Sequence, residues 1–320
     1  HEVDVFARNR GPGGPGCVEV ERYGLLPRTQ FAEVVPQPFG RRVRRALALV
    51  CTHRAWRRPG VTLRAVDPLR YGRRAASLSL LYDALPLLGR ARYDVLHCQF
   101  GTEGQQVLPL RSIGAITGKL VTSIRGFDAP GPRRDYGALF RGGDLFLPVS
   151  QSLAEGLLAA GCPPEKIEVL HSGLDLGQLP YAPPRYAAGA PLRLVSVARL
   201  VEKKGIDDAL RAVAALRTAG RDVRYAICGE GSLRDELARL AAELRVAPVV
   251  SWLGALPHDE TIRVCRESHV LVAPSVTAQN GDVEGIPNAL KEAMALGLPV
   301  VSTRHGGIQE LVDDGVSGFL

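Results

Sequence analysis

Residues 284–294 read EGIPNALKEAM. A carboxylate, Glu284, stands directly before a Gly-Ile-Pro-Asn turn, and a second, Glu292, follows about two helical turns later. Proline is favoured at the first position of a helix, where its missing N–H costs nothing. The spacing therefore predicts a helix opened by Pro287 and ended by Gly297. The N–H groups of Gly285, Ile286 and Asn288 would then lie free at the positive end of the helix dipole, an arrangement suited to phosphate. Glu292 falls beside the apolar positions Ala289, Ala293 and Leu296, where a carboxylate needs partners, and ribose hydroxyls would serve. For a bare pair at this spacing, a capping glutamate and a surface glutamate is the commoner reading. A second cluster is cationic. Lysine is rare here, with five in the chain, yet Lys203 and Lys204 are adjacent. The bland alternative for them is a solvated turn.

These groups need a scaffold, and the chain supplies a repeating one. Short apolar runs bounded by turn residues occur at 3–7, 94–98, 119–124, 145–150, 167–170, 192–198, 224–229, 249–254, 270–275 and 299–303. Helical patterns lie between several of them, at 152–161, 206–220 and 233–244. Strand alternating with helix argues for α/β architecture with parallel sheets covered on both faces. The stretch YAPPRYAAGAP (181–191) is Pro-rich and aperiodic and reads as a linker. The expected organisation is an N-terminal domain over 1–180 and a C-terminal domain over 192–320, two doubly wound units facing a cleft. In open α/β sheets ligands bind beyond the carboxyl ends of the strands, which is where Glu284 and the lysine pair fall. GPGGPG (11–16) reads as a turn-rich loop, since no helical pattern follows it.

Bulk properties remove several classes. The chain has 320 residues, 46% hydrophobic and 23% charged, ordinary for globular domains. No run approaches the roughly 20 apolar residues that span a bilayer, and HEVDVFA is no signal peptide. Six scattered cysteines without a C-x-x-C pair argue against a zinc site and a disulfide framework, and fit reduced thiols in a cytosol. The net charge of +7 is uneven. Between Phe39 and Arg92 stand 13 arginines, no lysine and two acids, a local excess of +11 that leaves −4 elsewhere. Such a patch attracts polyanions. Few aromatics and no nucleic-acid motif accompany it, which points away from nucleic acid and leaves anionic membrane, a charged substrate or a merely solvated arginine-rich face.

Several further segments stand in a telling order: LVSVARLVEKKGIDDAL (194–210), ICGEGSLRDEL (227–237), VSWLGALP (250–257), VLVAPS (270–275), EGIPNALKEAMALGLPVVST (284–303) and GGIQELVDDGVSGFL (306–320). Together they resemble the donor-binding domain of retaining GT-B glycosyltransferases of the group 4 family. DVLHCQFG (94–101), TSIRGFD (122–128) and the run 148–175 resemble its acceptor domain more loosely, and residues 1–93 only faintly. GDVEGIPNALKEAMA (281–295) is most similar to enzymes of bacterial exopolysaccharide and colanic-acid-type assembly.

The resemblance implies transfer of a sugar from a nucleotide diphosphate sugar to a hydroxyl, with retention of configuration, by a hexosyltransferase-type enzyme without metal or other cofactor. Arg199 and Lys204 would meet the donor pyrophosphate, Glu284 the transferred sugar and Glu292 the ribose. Gly285, Ile286, Asn288, Gly229, Gly231 and Leu256 would complete the nucleotide site. Arg125, Gly126, His97 and Asp128 are candidates for the acceptor or sugar cleft. His97 also reads as an ordinary strand-end histidine, and Asp128 as a helix cap. Where the family often has Thr-x-His-Gly-x-Asp, this chain has Arg125 for the histidine, and an arginine cannot serve as an acid or base near neutral pH. No Asp-x-Asp occurs, and Asp282 with Glu284 reads as loop. The expected partners are a nucleotide sugar, a glycan or lipid-linked acceptor and the inner face of the plasma membrane. Which nucleotide, sugar and acceptor are used is not legible. Two alternatives share the fold: a nucleotide-sugar epimerase and a non-catalytic assembly subunit, the latter expected to lose Arg199, Lys204 or Glu284. A dinucleotide-binding dehydrogenase would need G-x-G-x-x-G opening a helix, and CGEGSLRDE offers only G-x-G.

The resemblance also implies that both ends of the chain are missing, a first strand before His1 and a strand-helix stretch after Leu320. In that case strand 3–7 would be separated from strand 94–98 by a gap of about 10 Å, two strand spacings, rather than hydrogen-bonded to it.

Overall fold

The computed structural model describes residues 2–7, 23–89, 92–126, 128–129 and 134–320. The GPGGPG loop lies outside the described residues. The chain forms two compact units, His1–Cys98 with Glu103–Val121, and Gln99–Thr102 with Thr122–Leu320. The Pro-rich stretch 181–191 lies inside the second, without helix or strand.

In the first unit β1 (Val5–Ala7) pairs in parallel with β2 (Thr29–Phe31), Val5 opposite Thr29. The arginine-rich segment then folds into helices Phe39–Thr52, Pro59–Ala65, Pro68–Ala76 and Ser79–Ala84. Asp67 begins the third of these, accepting hydrogen bonds from the Leu69 and Arg70 N–H groups at 3.0 and 3.3 Å, which satisfies donors a helix start leaves unpaired. Leu80, Leu81, Tyr82 and Leu85 fill the core beneath. Some arginines staple the unit: Arg42 donates to the Ser77 and Pro36 carbonyls, Arg64 to that of Ile113, and Arg74 pairs with Asp83 at 3.0 Å. β3 (Val95–Cys98) lies beside β4 (Lys119–Ile124). β1 is therefore bonded to β2 and is not a neighbour of β3; side chains link the two regions instead, Tyr93 Oη donating to Asp4 Oδ2 at 2.6 Å with Phe6 edge-on to its ring.

In the second unit the far end of β4 lies beside β5 (Leu145–Pro148). The segment 167–170, expected as a strand, makes only an isolated bridge, Ile167 with Phe146. Glu168 and Leu170 donate to the Phe146 and Pro148 carbonyls, but Pro148 has no N–H to return, so the ladder stops there.

The larger sheet is five-stranded and parallel, ordered β10–β9–β6–β7–β8, with β6 Leu192–Val197, β7 Val223–Cys228, β8 Val250–Gly254, β9 Val270–Ala273 and β10 Val300–Ser302. Alternation along β6 builds two cores. Leu194 packs with Tyr225, Ile227 and the helices Ile206–Thr218 and Arg234–Glu243. Its neighbour Val195 packs with Leu271, Val300 and the helices His258–Arg266 and Asn288–Leu296 on the other face. Each such fully buried aliphatic side chain contributes about 1.5–3 kcal/mol. With helices on both faces, the carboxyl ends of the strands are left for the loops that carry chemistry.

Candidate active site

Two of those loops meet around Glu284. After β6 the chain passes Arg199 and makes a 3-10 turn over Glu202–Lys204. Gly205 then sits at φ +58°, and a Cβ there would stand 1.9 Å from the Pro274 carbonyl oxygen, so only glycine lets the turn dock on the β9 loop. All three turn side chains reach the loop 279–284. Glu202 accepts from the Gln279 N–H at 2.9 Å. Lys203, buried, donates to Asp282 Oδ1 at 3.1 Å and the Val283 carbonyl at 3.3 Å, and lies 3.5 Å from Glu284 Oε1. Lys204 Nζ is 2.8 Å from the same oxygen. That contact is ionic and off the hydrogen-bonding direction, so Oε1 is buried without a hydrogen-bond donor. Two cations and two carboxylates share this space.

Glycines set the Glu284 backbone from both sides. A Cβ on Gly126 would lie 2.8 Å from the Val283 carbonyl and 3.0 Å from the Gly285 nitrogen; one on Gly306 would lie 2.3 Å from the Glu284 carbonyl. Gly307 donates to the Gly285 carbonyl at 3.0 Å. The Glu284 N–H donates to His305 Nε2 at 3.2 Å. That ring nitrogen must be unprotonated to accept, and burial holds the His305 pKa below its ordinary 6.5, opposed by the nearby Glu284 charge.

The helix starts one residue later than expected. Pro287 is the N-cap, with extended ψ of 128°, and Asn288 is the first helical residue; Gly297 ends the helix in the left-handed conformation. The N–H groups of Gly285, Ile286 and Asn288 have no partner among the described residues. Glu292 lies on this helix, largely buried, 3.3 Å from His258 Nε2. The Arg199 side chain is exposed and also has no partner among the described residues.

The remaining expected residues divide. Gly229 and Gly231 do bring backbones together, but the backbone approached is the chain's own: a Cβ at 229 would stand 1.9 Å from the Ala198 carbonyl oxygen, and one at 231 would stand 2.3 Å from that of Leu200. They thereby fix the loop that carries Arg199. Leu256 packs against the core beneath the helix Asn288–Leu296. Asp128 is fully buried, one oxygen accepting from the Gly101 N–H at 2.7 Å and the other from the Arg125 N–H at 2.8 Å. It is an internal anchor. Arg125 is exposed, bonded to Gln99 and facing the Phe100 ring. His97 is exposed on β3, in the other unit.

Three participants escaped the sequence reading. Asp282 was read as loop, Lys203 as the unused partner of Lys204, and His305 was not singled out. The adjacency of two lysines in a lysine-poor chain was the available signal for Lys203; nothing in the sequence linked His305 to a backbone N–H 21 residues away.

The sheet carries cations and N–H groups without a partner among the described residues at its strand ends, and its class follows from likeness to known proteins. Solved structures have the same fold: HepE of Anabaena, determined with UDP-glucose, superposes with a TM-score of 0.61 at 20% identity over 79% of this chain and 70% of that one. Residues 1–178 match the Glycosyltransferase Family 4 model and residues 187–320 the Glycosyl transferases group 1 model. WcaL of Salmonella typhimurium, assigned to colanic acid biosynthesis, is 37% identical over all of this chain and 79% of its own length. The amylovoran biosynthesis glycosyltransferase AmsK of Erwinia amylovora is 36% identical with the same coverage. The chain belongs to the group 1/family 4 glycosyltransferases.

Proposed function

We propose that this protein transfers a sugar from a nucleotide diphosphate sugar to a hydroxyl during assembly of an extracellular polysaccharide, with retention of configuration and without a metal ion. The observation that carries the reading is the Glu284 loop: a carboxylate held by Lys203 and Lys204, followed at once by three N–H groups with no partner among the described residues. Arg199, Lys204 and those N–H groups would meet the pyrophosphate, and Glu284 the sugar hydroxyls. Glu292 would hold the ribose, moving from His258 to do so. As the bond between the anomeric carbon and the pyrophosphate oxygen breaks, negative charge grows on the leaving group. Fixed cations and dipoles placed where charge develops supply the main catalytic effect. The acceptor oxygen then bonds to the same face of the anomeric carbon, and its proton passes to the departing phosphate.

The relatives named for colanic acid and amylovoran biosynthesis support a polysaccharide role, and the UDP-glucose complex of a protein of the same fold supports a nucleotide-sugar donor. The two family models meet near 181–191, which supports an acceptor half before that stretch and a donor half after it. The epimerase and assembly-subunit readings have no such support. No helix among the described residues is long and apolar enough to cross a membrane; a lipid-linked acceptor and peripheral attachment at the inner membrane face complete the proposal. A panel of nucleotide sugars, scored for release of the nucleoside diphosphate and by NMR for the anomeric configuration of the product, tests it. An inverted product contradicts retention, and no release with any donor contradicts transfer.

A further inference from the structure

Arg125 follows directly on β4, at the carboxyl end of a strand, where open α/β sheets place their ligands. Its backbone abuts the Glu284 loop: the Arg125 carbonyl oxygen lies 3.3 Å from where a Cβ on Gly285 would stand. The side chain is exposed. Its Nε and Nη2 donate to Gln99, and the guanidinium lies 6.0 Å from the centre of the Phe100 ring. Nη1 has no partner among the described residues.

A second cation comes from the helix Asn288–Leu296. Lys291 Nζ donates to the Ser172 carbonyl oxygen at 2.7 Å, which uses one of its three N–H groups. Burial holds the Lys291 pKa below its ordinary 10.5; the Glu292 charge opposes that lowering and the Arg125 charge adds to it. The two cations therefore feel each other, yet neither is paired with a carboxylate among the described residues. Asp128, three residues from Arg125, gives its oxygens to the Gly101 and Arg125 N–H groups. Glu292 lies against His258. Lys203 and Lys204, by contrast, have Asp282 and Glu284. Like charges gathered without an internal counter-ion disfavour one another, and a bound anion removes that cost. Guanidinium matches a carboxylate through parallel N–H donors, and ammonium adds a point charge.

We propose that Arg125 and Lys291 bind the carboxylate of a uronic-type sugar and so set the sugar specificity of the Glu284 site. The inference rests on the nucleotide-sugar reading of that site and adds to it the charge of the sugar. In that reading the pyrophosphate already has Arg199, Lys204 and the N–H groups of Gly285, Ile286 and Asn288, which leaves this pair for an anion on a sugar ring. A carboxylate on the transferred sugar and one on the acceptor sugar offer the same chemistry, and the test separates them.

Calorimetric titration with UDP, GDP, UDP-glucuronate, UDP-glucose, GDP-mannuronate and GDP-mannose reads the donor arm. Methyl glucuronide and methyl glucoside, titrated onto protein saturated with UDP or GDP, read the acceptor arm. In one arm the carboxylate-bearing sugar is expected to bind about tenfold or more tightly than its neutral counterpart. Arg125→His and Lys291→Met should each remove that preference and leave the affinity for UDP or GDP unchanged. Circular dichroism checks that both variants are folded. A lowered unfolding midpoint with the preference intact would make the pair structural and overturns the proposal. Equal affinity for charged and neutral sugars in both arms, with UDP or GDP still bound, overturns this inference alone. Weaker binding of UDP or GDP by both variants also overturns it, since the pair would then serve the pyrophosphate. Absence of binding by UDP and GDP alike contradicts the nucleotide-sugar reading, and the inference falls with it.

Discussion

Glu284→Gln keeps the side-chain shape and removes one charge. The sequence reads Glu284 as a loop carboxylate, a position that contributes little to a core. The structure alters that expectation, because Glu284 is only 7% exposed and faces two ammonium groups at 2.8 and 3.5 Å. At an effective dielectric constant near 20, those contacts are gross attractions of about 6 and 5 kcal/mol. Most of that offsets the desolvation of the three groups. What remains when one member of a buried cluster is removed is about 3 kcal/mol, since Lys203 is left with Asp282 and Lys204 with no carboxylate among the described residues. For a chain of 320 residues the unfolding midpoint should fall by about 4–5 °C. Transfer should fall at least about 100-fold, the loss associated with removing one transition-state contact. Thermal unfolding and a nucleoside diphosphate release assay, run on the same preparation at a temperature where the variant is folded, read both quantities. An unchanged midpoint refutes the charge cluster. Wild-type turnover refutes the site.

Arg199→Ala removes an exposed, unpartnered cation and should leave the unfolding midpoint within about 1 °C while lowering transfer by about 2–4 kcal/mol of transition-state stabilisation; equal loss of stability and activity would make Arg199 structural. Gly205→Ala should destabilise by at least about 2 kcal/mol, because its Cβ would meet the Pro274 carbonyl oxygen and the φ is left-handed; a neutral change in midpoint would contradict the docking of the lysine turn. His305 and His269 both accept backbone N–H groups, and burial lowers both pKa values from 6.5. The unfolded chain takes up these protons first as pH falls, so stability is complete above about pH 6.5 and declines below it. Thermal midpoints between pH 5 and 7.5 should follow that course, and His305→Asn should flatten it; an unchanged slope contradicts the neutral His305.

Much of this was legible because period and punctuation report backbone directly. The β6 pattern LRLVSV alternates between two cores, and Gly297 ends a helix in the left-handed conformation that glycine permits. The segment 167–170 misled because its own composition suits a strand, while the missing donor belongs to Pro148 on the neighbouring segment. Residues whose types cluster in sequence, Lys203 and Lys204 with Glu284, do lie together in the structure. Asp282 and His305 were missed because their roles depend on loops 20 to 80 residues apart meeting in space. Asp128 was placed in a cleft on local pattern, yet the Gly101 N–H, 27 residues away, claims one of its oxygens.

The central claim is that cations and free N–H groups at the Glu284 loop drive departure of a nucleoside diphosphate. The most direct measurement is release of that diphosphate from a panel of nucleotide sugars, with chelator present, by the wild type and by Arg199→Ala. The account predicts release from one donor class in chelator, slowed about 100-fold or more in the variant. Release that needs added manganese or magnesium, or that proceeds equally fast in the variant, would contradict it.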